Sequence, residues 1–209
     1  MHVNYERPPI VEALIDIQIE PQAGSDILEV DKRLTELLPD YPHKKKTESV
    51  KGRFDVDQEP TASVEKSRVG SVFLSTDKKQ ILQVQLDRFT FSRLAPYRAW
   101  EDLKSEANRL WDIFQSVNSS KRIGRVAVRY INRLDFPSGT VEFSDYLKTH
   151  PSISTEAPDM ASGFFMRLEL PQPDINASVV LILTSVPIPA GPVSMILDLD
   201  VFTVVDQPG

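Results

Sequence analysis

The stretch from Ile123 to Phe136, I-G-R-V-A-V-R-Y-I-N-R-L-D-F, constrains the fold more than any other segment of the chain. Side chains alternate between the two faces of a strand. The even positions Val126, Val128, Tyr130, Leu134 and Phe136 therefore share one face, apolar except for Asn132. The odd positions carry Arg125, Arg129 and Arg133, with Ala127 and Ile131 between them. One face is written for a core and the other for a row of guanidinium groups, and Pro137 closes the run.

The segments around this strand follow the same logic. Val11 to Glu20 alternates, with Val11, Ala13, Ile15, Ile17 and Ile19 on one side and Glu12, Asp16, Gln18 and Glu20 on the other. After Pro21, Ser25 is placed to cap a helix whose stripe is Ile27, Val30, Leu34, Leu37 and Leu38, stopped by Pro39 and Pro42. Strands are expected over Thr47–Asp57, Ser63–Thr76 and Gln80–Arg93, the last two forming a hairpin about Asp77-Lys78-Lys79. In the third, the apolar parity switches between Leu86 and Phe89, which reads as a β-bulge near Asp87-Arg88. Pro96 is expected to open a helix running to Val117, with a stripe of Trp100, Leu103, Ala107, Leu110, Trp111, Phe114 and Val117. Aromatic residues at this spacing are read as core rather than as a stacking platform. A short helix at Phe143 to Leu147 ends at His150-Pro151, and a polar loop runs from Ser152 to Gly163. Strands follow at Phe164–Leu170, Ala177–Val186 and Ser194–Val205, with a stiff Pro-rich connection over 187–192. The last strand is expected to turn Met195, Leu197, Leu199, Val201 and Val205 inward and Asp198, Asp200 and Asp206 outward.

The element order is β-α-β-β-β-α and then β-α-β-β-β. It predicts an α+β protein of 209 residues forming one domain, built from pseudo-repeat halves 1–118 and 119–209. Antiparallel sheet with helices on one face is expected, either saddle-like or helix-grip-like, with the second repeat lacking its closing helix. The outward faces of the two first strands have opposite sign, Glu12 and Asp16 against Arg129 and Arg133. Antiparallel neighbours would pair them across strands.

Composition removes several classes of function. With no cysteine, disulfides and thiolate chemistry are excluded. The net charge of −6 disfavours indiscriminate nucleic-acid binding. Neither a signal peptide nor a membrane span is visible, the longest apolar run being Val179 to Leu183, so a cytoplasmic location is expected.

Three segments, R-P-P-I-V-E-A at Arg7–Ala13, F-T-F-S-R-L-A-P-Y-R-A-W at Phe89–Trp100 and V-R-Y-I-N-R at Val128–Arg133, carry a resemblance that covers nearly the whole chain. They resemble an uncharacterised, sporadically distributed prokaryotic protein family. The resemblance implies no activity, cofactor or substrate, and its patchy distribution associates it with accessory or defence-linked genes. Members of that family continue through a C-terminal helix, whereas this sequence stops at Gly209. Two expectations follow: either this sequence is a shortened form of a longer chain, or a partner or a second copy covers the second half.

Motifs for catalysis are missing from the sequence. His2, His43 and His150 have no zinc spacing, Ser92 lacks a G-x-S-x-G turn, and the glycines form no phosphate loop. No metal and no cofactor is expected; the nearest approach to a cation site is Asp198 and Asp200 on one strand face. Lys44-Lys45-Lys46 reads as a solvated strand entry in preference to a phosphate hook. The remaining constellation is Arg88, Arg93, Tyr97, Arg129, Asn132 and Arg133, an anion-recognising set because arginine forks take carboxylate or phosphate bidentately. Two functions follow. One is a non-enzymatic binding or regulatory module working as a homo-oligomer or with a protein partner. The other is an enzyme acting on a phosphorylated or nucleotide-type ligand across the arginine face, with nucleic acid as a less favoured partner.

Overall fold

Alternation and proline punctuation produce an α+β protein with nine strands and two α-helices among the described residues. The computed structural model describes residues 7–55, 61–118, 122–136, 141–151, 163–186 and 193–205. In chain order the elements are β1 (Ile10–Ile19), α1 (Ile27–Leu37), β2 (His43–Asp55), β3 (Thr61–Leu74), β4 (Gln80–Gln85), β5 (Arg88–Leu94), α2 (Trp100–Val117), β6 (Ile123–Asp135), β7 (Phe165–Gln172), β8 (Ala177–Val186) and β9 (Ser194–Val204). The strand order is β2-β3-β4-β5-β1-β6-β9-β8-β7. Two compact units divide the chain. One comprises Ile15–Arg93, Ala99–Val126 and Val205–Gly209, and the other Met1–Leu14, Leu94–Arg98 and Ala127–Val204. We call them the helical unit and the sheet unit.

In the helical unit, β3, β4 and β5 are antiparallel neighbours with Phe73 opposite Leu82 and Leu82 opposite Phe91. These residues, with Val84 and Phe89, line one face and are fully buried. The amphipathic α2 lies on that face: Phe89 meets Trp111 edge-on at 5.3 Å and Phe114 at 5.6 Å between ring centroids. Leu103, Ala107 and Leu110 complete its buried stripe, and Ile27, Val30 and Leu34 do the same for α1. Gly70 of β3 lies against β4; a Cβ there would sit 2.4 Å from the carbonyl oxygen of Val84.

Four details differ from the sequence expectation. The parity switch after Leu86 is a hairpin turn and not a bulge: β4 ends at Gln85, and β5 starts at Arg88 and runs back beside it, with Val84 opposite Phe89. Either device exchanges the faces, so parity alone does not separate them. The side chain of Asn118 holds the turn by donating to the Leu86 carbonyl (3.0 Å). Asp26, and not Ser25, caps α1, accepting from the Leu28 N–H at 2.9 Å. Helix α2 begins at Trp100, four residues after Pro96, and Trp100 lies at its exposed edge. The expected helix after Phe143 is a single 3-10 turn at Phe143–Asp145.

The sheet unit is built differently. β7, β8 and β9 are antiparallel, with Leu168 opposite Leu181 and Leu181 opposite Leu199. Phe136, Leu183 and Met195 are buried there, packed under Phe143, Leu147 and Phe164 at one end of the strands. Leu181, which packs against that cluster, and Val179, Leu199 and Val201 are only half-buried. Among the described residues this unit has no α-helix. The connection over 187–192, the loop over 152–162 and Asp206 lie outside the described residues.

Because Phe89 joins β5 to α2 through two aromatic contacts, Phe89→Ala is expected to destabilise the protein by about 3–5 kcal/mol, read from the midpoint of urea unfolding.

Candidate functional site

The arginines singled out by the sequence reach the folded protein with carboxylates beside them. Asp16, in the middle of β1, is 5 % exposed. Its Oδ2 accepts from Arg88 Nε at 2.7 Å and from Thr90 Oγ1 at 2.7 Å, and its Oδ1 accepts from Arg88 Nη2 at 3.2 Å and Arg125 Nη1 at 3.3 Å. Thr90 alternates with the buried Phe89 and Phe91, so this cluster lies on the face of β5 away from α2. The odd-numbered Arg93 is on the helix side, 3.8 Å from Asp102 of α2. Arg88 and Arg93 thus diverge to opposite faces of one strand.

The same division appears in the sheet unit. Arg129 grips Asp198 with both arms of its fork, through Nε at 2.8 Å and through Nη2. This hydrogen bonding raises the arginine further above its ordinary range, against the effect of burial, and the charges of Asp198, Asp200 and Glu12 add to it. Arg133 bonds Asp135 at 2.9 Å and Ser194 at 3.3 Å. On the even face of β6, Tyr97 stands edge-on to Tyr130 at 5.7 Å with the hydroxyls 3.3 Å apart. Asn132, 8 % exposed, donates to the backbone carbonyl of Leu197 at 3.1 Å. Its polar group on an apolar face is thereby matched within the chain.

The carboxylates opposite the arginine row also differ from expectation. Asp198 of β9, not Glu12 or Asp16, takes Arg129, while Asp16 takes Arg88 and Arg125. Asp198 was expected to point outward, yet it is 6 % exposed, because the odd face of β6 and the even face of β9 meet across the sheet. Among the described residues no three histidine, aspartate or glutamate side chains converge as a metal site requires. No helix among them is long and apolar enough to cross a membrane.

No family model matches the chain, and no curated protein matches it.

Two polar clusters were not anticipated from the sequence. Asp31 sits within the buried stripe of α1, accepts from Lys44 at 2.6 Å and from Ser71, and forms an ion pair with Arg68 at 2.7 Å. Lys44, the first of the three lysines, also lies over the Phe73 ring, 5.2 Å from its centroid. Tyr41, 3 % exposed, places its hydroxyl 2.8 Å from Glu106 and 2.9 Å from Gln80. Arg109 holds Glu106 from the other side and reaches Asp40 at 2.6 Å. Burial, and then the negative charge of Glu106, push the Tyr41 hydroxyl far above its ordinary range, so it serves as a neutral donor. The sequence holds one signal for the first cluster. Asp31 follows Ile27 by four residues and precedes Leu34 by three, which puts a carboxylate on an apolar helix face.

Removing a carboxylate with two arginines on it is costly. Asp16→Ala is expected to destabilise by about 2–3 kcal/mol, below the cost of breaking a fully buried pair because Arg88 keeps contact with water. Arg88→Ala, which leaves Arg125 and Thr90 in place, is expected to cost roughly 1 kcal/mol or less in the same denaturant titration.

Burial alone would raise Asp31, but hydrogen bonds from Lys44 and Ser71 and the charges of Lys44 and Arg68 overcome it and hold the carboxyl below its ordinary 3.8. A lowered folded value means that stability is fully present above 3.8 and is lost as the pH falls through the folded value. The difference in melting temperature between the protein and Asp31→Asn is therefore expected to shrink as the pH falls below 3.8, in scanning calorimetry across the acid range.

Proposed function

We propose that this chain is a non-catalytic, cytoplasmic binding or regulatory module that works as an assembly with a second copy of itself. The observation that carries the reading is the sheet unit, whose β8 and β9 leave Val179, Leu181, Leu199 and Val201 only half-buried, with no α-helix over them among the described residues. Apolar surface of this kind is stabilised by contact with another molecule. The fate of the arginines supports it. Arg129 is gripped by Asp198, Arg88 by Asp16 and Arg133 by Asp135, so each guanidinium already has a carboxylate where a phosphate would have to bind. Arg88 and Arg93, and likewise Arg129 and Asn132, project from opposite faces of their strands, which disfavours one convergent anion site.

The two-fold repeat belongs to the same reading. Reading from each end, the sheet order is β3-β4-β5-β1 after the edge strand β2, and β7-β8-β9-β6. The parallel between these runs supports two related halves, the second without an α-helix among the described residues. The motif resemblance to a prokaryotic family with accessory or defence-linked genes is consistent with a module that acts through assembly.

Native mass spectrometry of gently purified protein tests the proposal. The expected spectrum is dominated by two chains with no added mass. A retained nucleotide or oligonucleotide would overturn it in favour of an enzyme or binder of phosphorylated ligands working across Arg129 and Arg133, and a single chain at every concentration would overturn the assembly.

A further inference from the structure

We propose that two copies of this chain join through the free edge of β7, paired antiparallel to itself about Leu168. The inference rests on the assembly reading above and names the surface that makes the assembly.

Among the described residues β7 is the last strand of the sheet and is paired on one side only, to β8. In an antiparallel ladder hydrogen-bonded and non-bonded pairs alternate, so one bond fixes the phase. Ser185 N–H donates to the Phe164 carbonyl at 3.1 Å. Given the register Phe165 to Thr184 and Leu168 to Leu181, the even residues Met166, Leu168 and Leu170 turn their backbone groups toward β8. Phe165, Arg167, Glu169 and Pro171 turn theirs to the open edge. The strand is also the most exposed in its unit: Phe165 is 67 % exposed and Leu170 38 %.

The sequence of this edge is complementary to itself. Antiparallel pairing about Leu168 sets Arg167 opposite the second copy's Glu169 and Glu169 opposite its Arg167. Both residues lie on the open edge and already attract each other within one strand. The even row then matches Met166 with Leu170 and Leu168 with Leu168, continuing the apolar face of the sheet unit. Pro171 stands opposite Phe165, where the proline carbonyl accepts and only a donor is missing.

Neighbouring registers fail. Bonds between the open edges require odd residues to face odd residues, so the two nearest slips centre the pairing on Arg167 or on Glu169. The first puts arginine against arginine and the second glutamate against glutamate, and like charges directly opposite are destabilising. The other outermost strand is guarded in the usual way. β2 carries Lys44-Lys45-Lys46 directly after its first residue, His43, and lysines along an edge discourage strand addition. A contact between identical edges is isologous and closes after two copies.

Charge reversal tests the register directly. Arg167→Glu and Glu169→Arg each place like charges across the contact, so each variant alone is expected to dimerise about tenfold or more weaker in sedimentation equilibrium. Mixed in equal amounts, the two variants carry opposite charges at facing positions and are expected to form a two-chain species holding one of each, resolved by native mass. The double exchange R167E/E169R is expected to restore the homodimer. Residue-resolved amide exchange on the unaltered protein supplies a second readout: the outward N–H groups of Phe165, Arg167 and Glu169 are expected to be protected. Variants that stay dimeric alone, a mixture that stays monomeric, or fast exchange at those amides in a dimer would each overturn the β7 contact while leaving assembly through another surface. An unaltered protein that stays a single chain overturns both proposals.

Discussion

The carboxylate of Asp16 is the constraint on which the helical unit depends. It sits on β1, and its partners come from both neighbours: Arg88 and Thr90 on β5, and Arg125 on β6. An unpaired buried carboxylate would cost several kcal/mol, so the strand order β5-β1-β6 is favoured by the need to bring two guanidinium groups and a hydroxyl to one point. These groups lie on the face of β5 opposite Phe89 and Phe91. Hydrophobic burial organises one side of the strand and charge matching the other, and the register that satisfies one satisfies both.

This use of charge recurs. Asp31 is matched by Lys44 and Arg68, Glu106 by Arg109 and Tyr41, and Asp198 by Arg129. In each case a carboxylate withdrawn from water is held by a cation that reaches back toward the surface. Arginine suits the task because its fork binds both carboxylate oxygens while its edge stays hydrated. A strand studded with arginines therefore does not announce a ligand. Its side chains can be the counterions of acids that the rest of the fold has buried.

That distinction explains what was legible in the sequence. The strands at Ile10–Ile19, Ile123–Asp135 and Ala177–Val186 follow from alternation, and the stripe from Leu103 to Val117 follows from helical spacing. The hairpin turn at Leu86-Asp87 does not, because a turn and a bulge leave the same mark on parity. Asp198 and Asp200 share one face of β9, yet only the opposing Arg129 decides that Asp198 is buried. Tyr41 and Glu106 meet across 65 positions of sequence, and no local pattern connects them. The candidate site was read as a set of residue types. Which of its members share a face depends on strand breaks and partners that a single chain of letters does not print.

The two units also treat apolar surface differently. In the helical unit, Phe73, Leu82, Phe89 and Phe91 are sealed by two amphipathic helices. In the sheet unit the buried cluster at the end of β8 and β9 consists of Phe136, Leu183 and Met195, and each large side chain left half-buried forgoes roughly 1 kcal/mol of transfer free energy. A sheet in this condition can be stabilised over its face or along its edge. Coverage over the face requires a partner shaped to Val179, Leu181, Leu199 and Val201, whereas growth along the edge needs only another strand with the right donors and charges. β7 supplies both to a copy of itself. In the proposed contact, the antisymmetry of Arg167 and Glu169 about Leu168 would favour one register over its nearest neighbours on an open edge that is ordinarily a route to indiscriminate aggregation, and would close the contact at two copies.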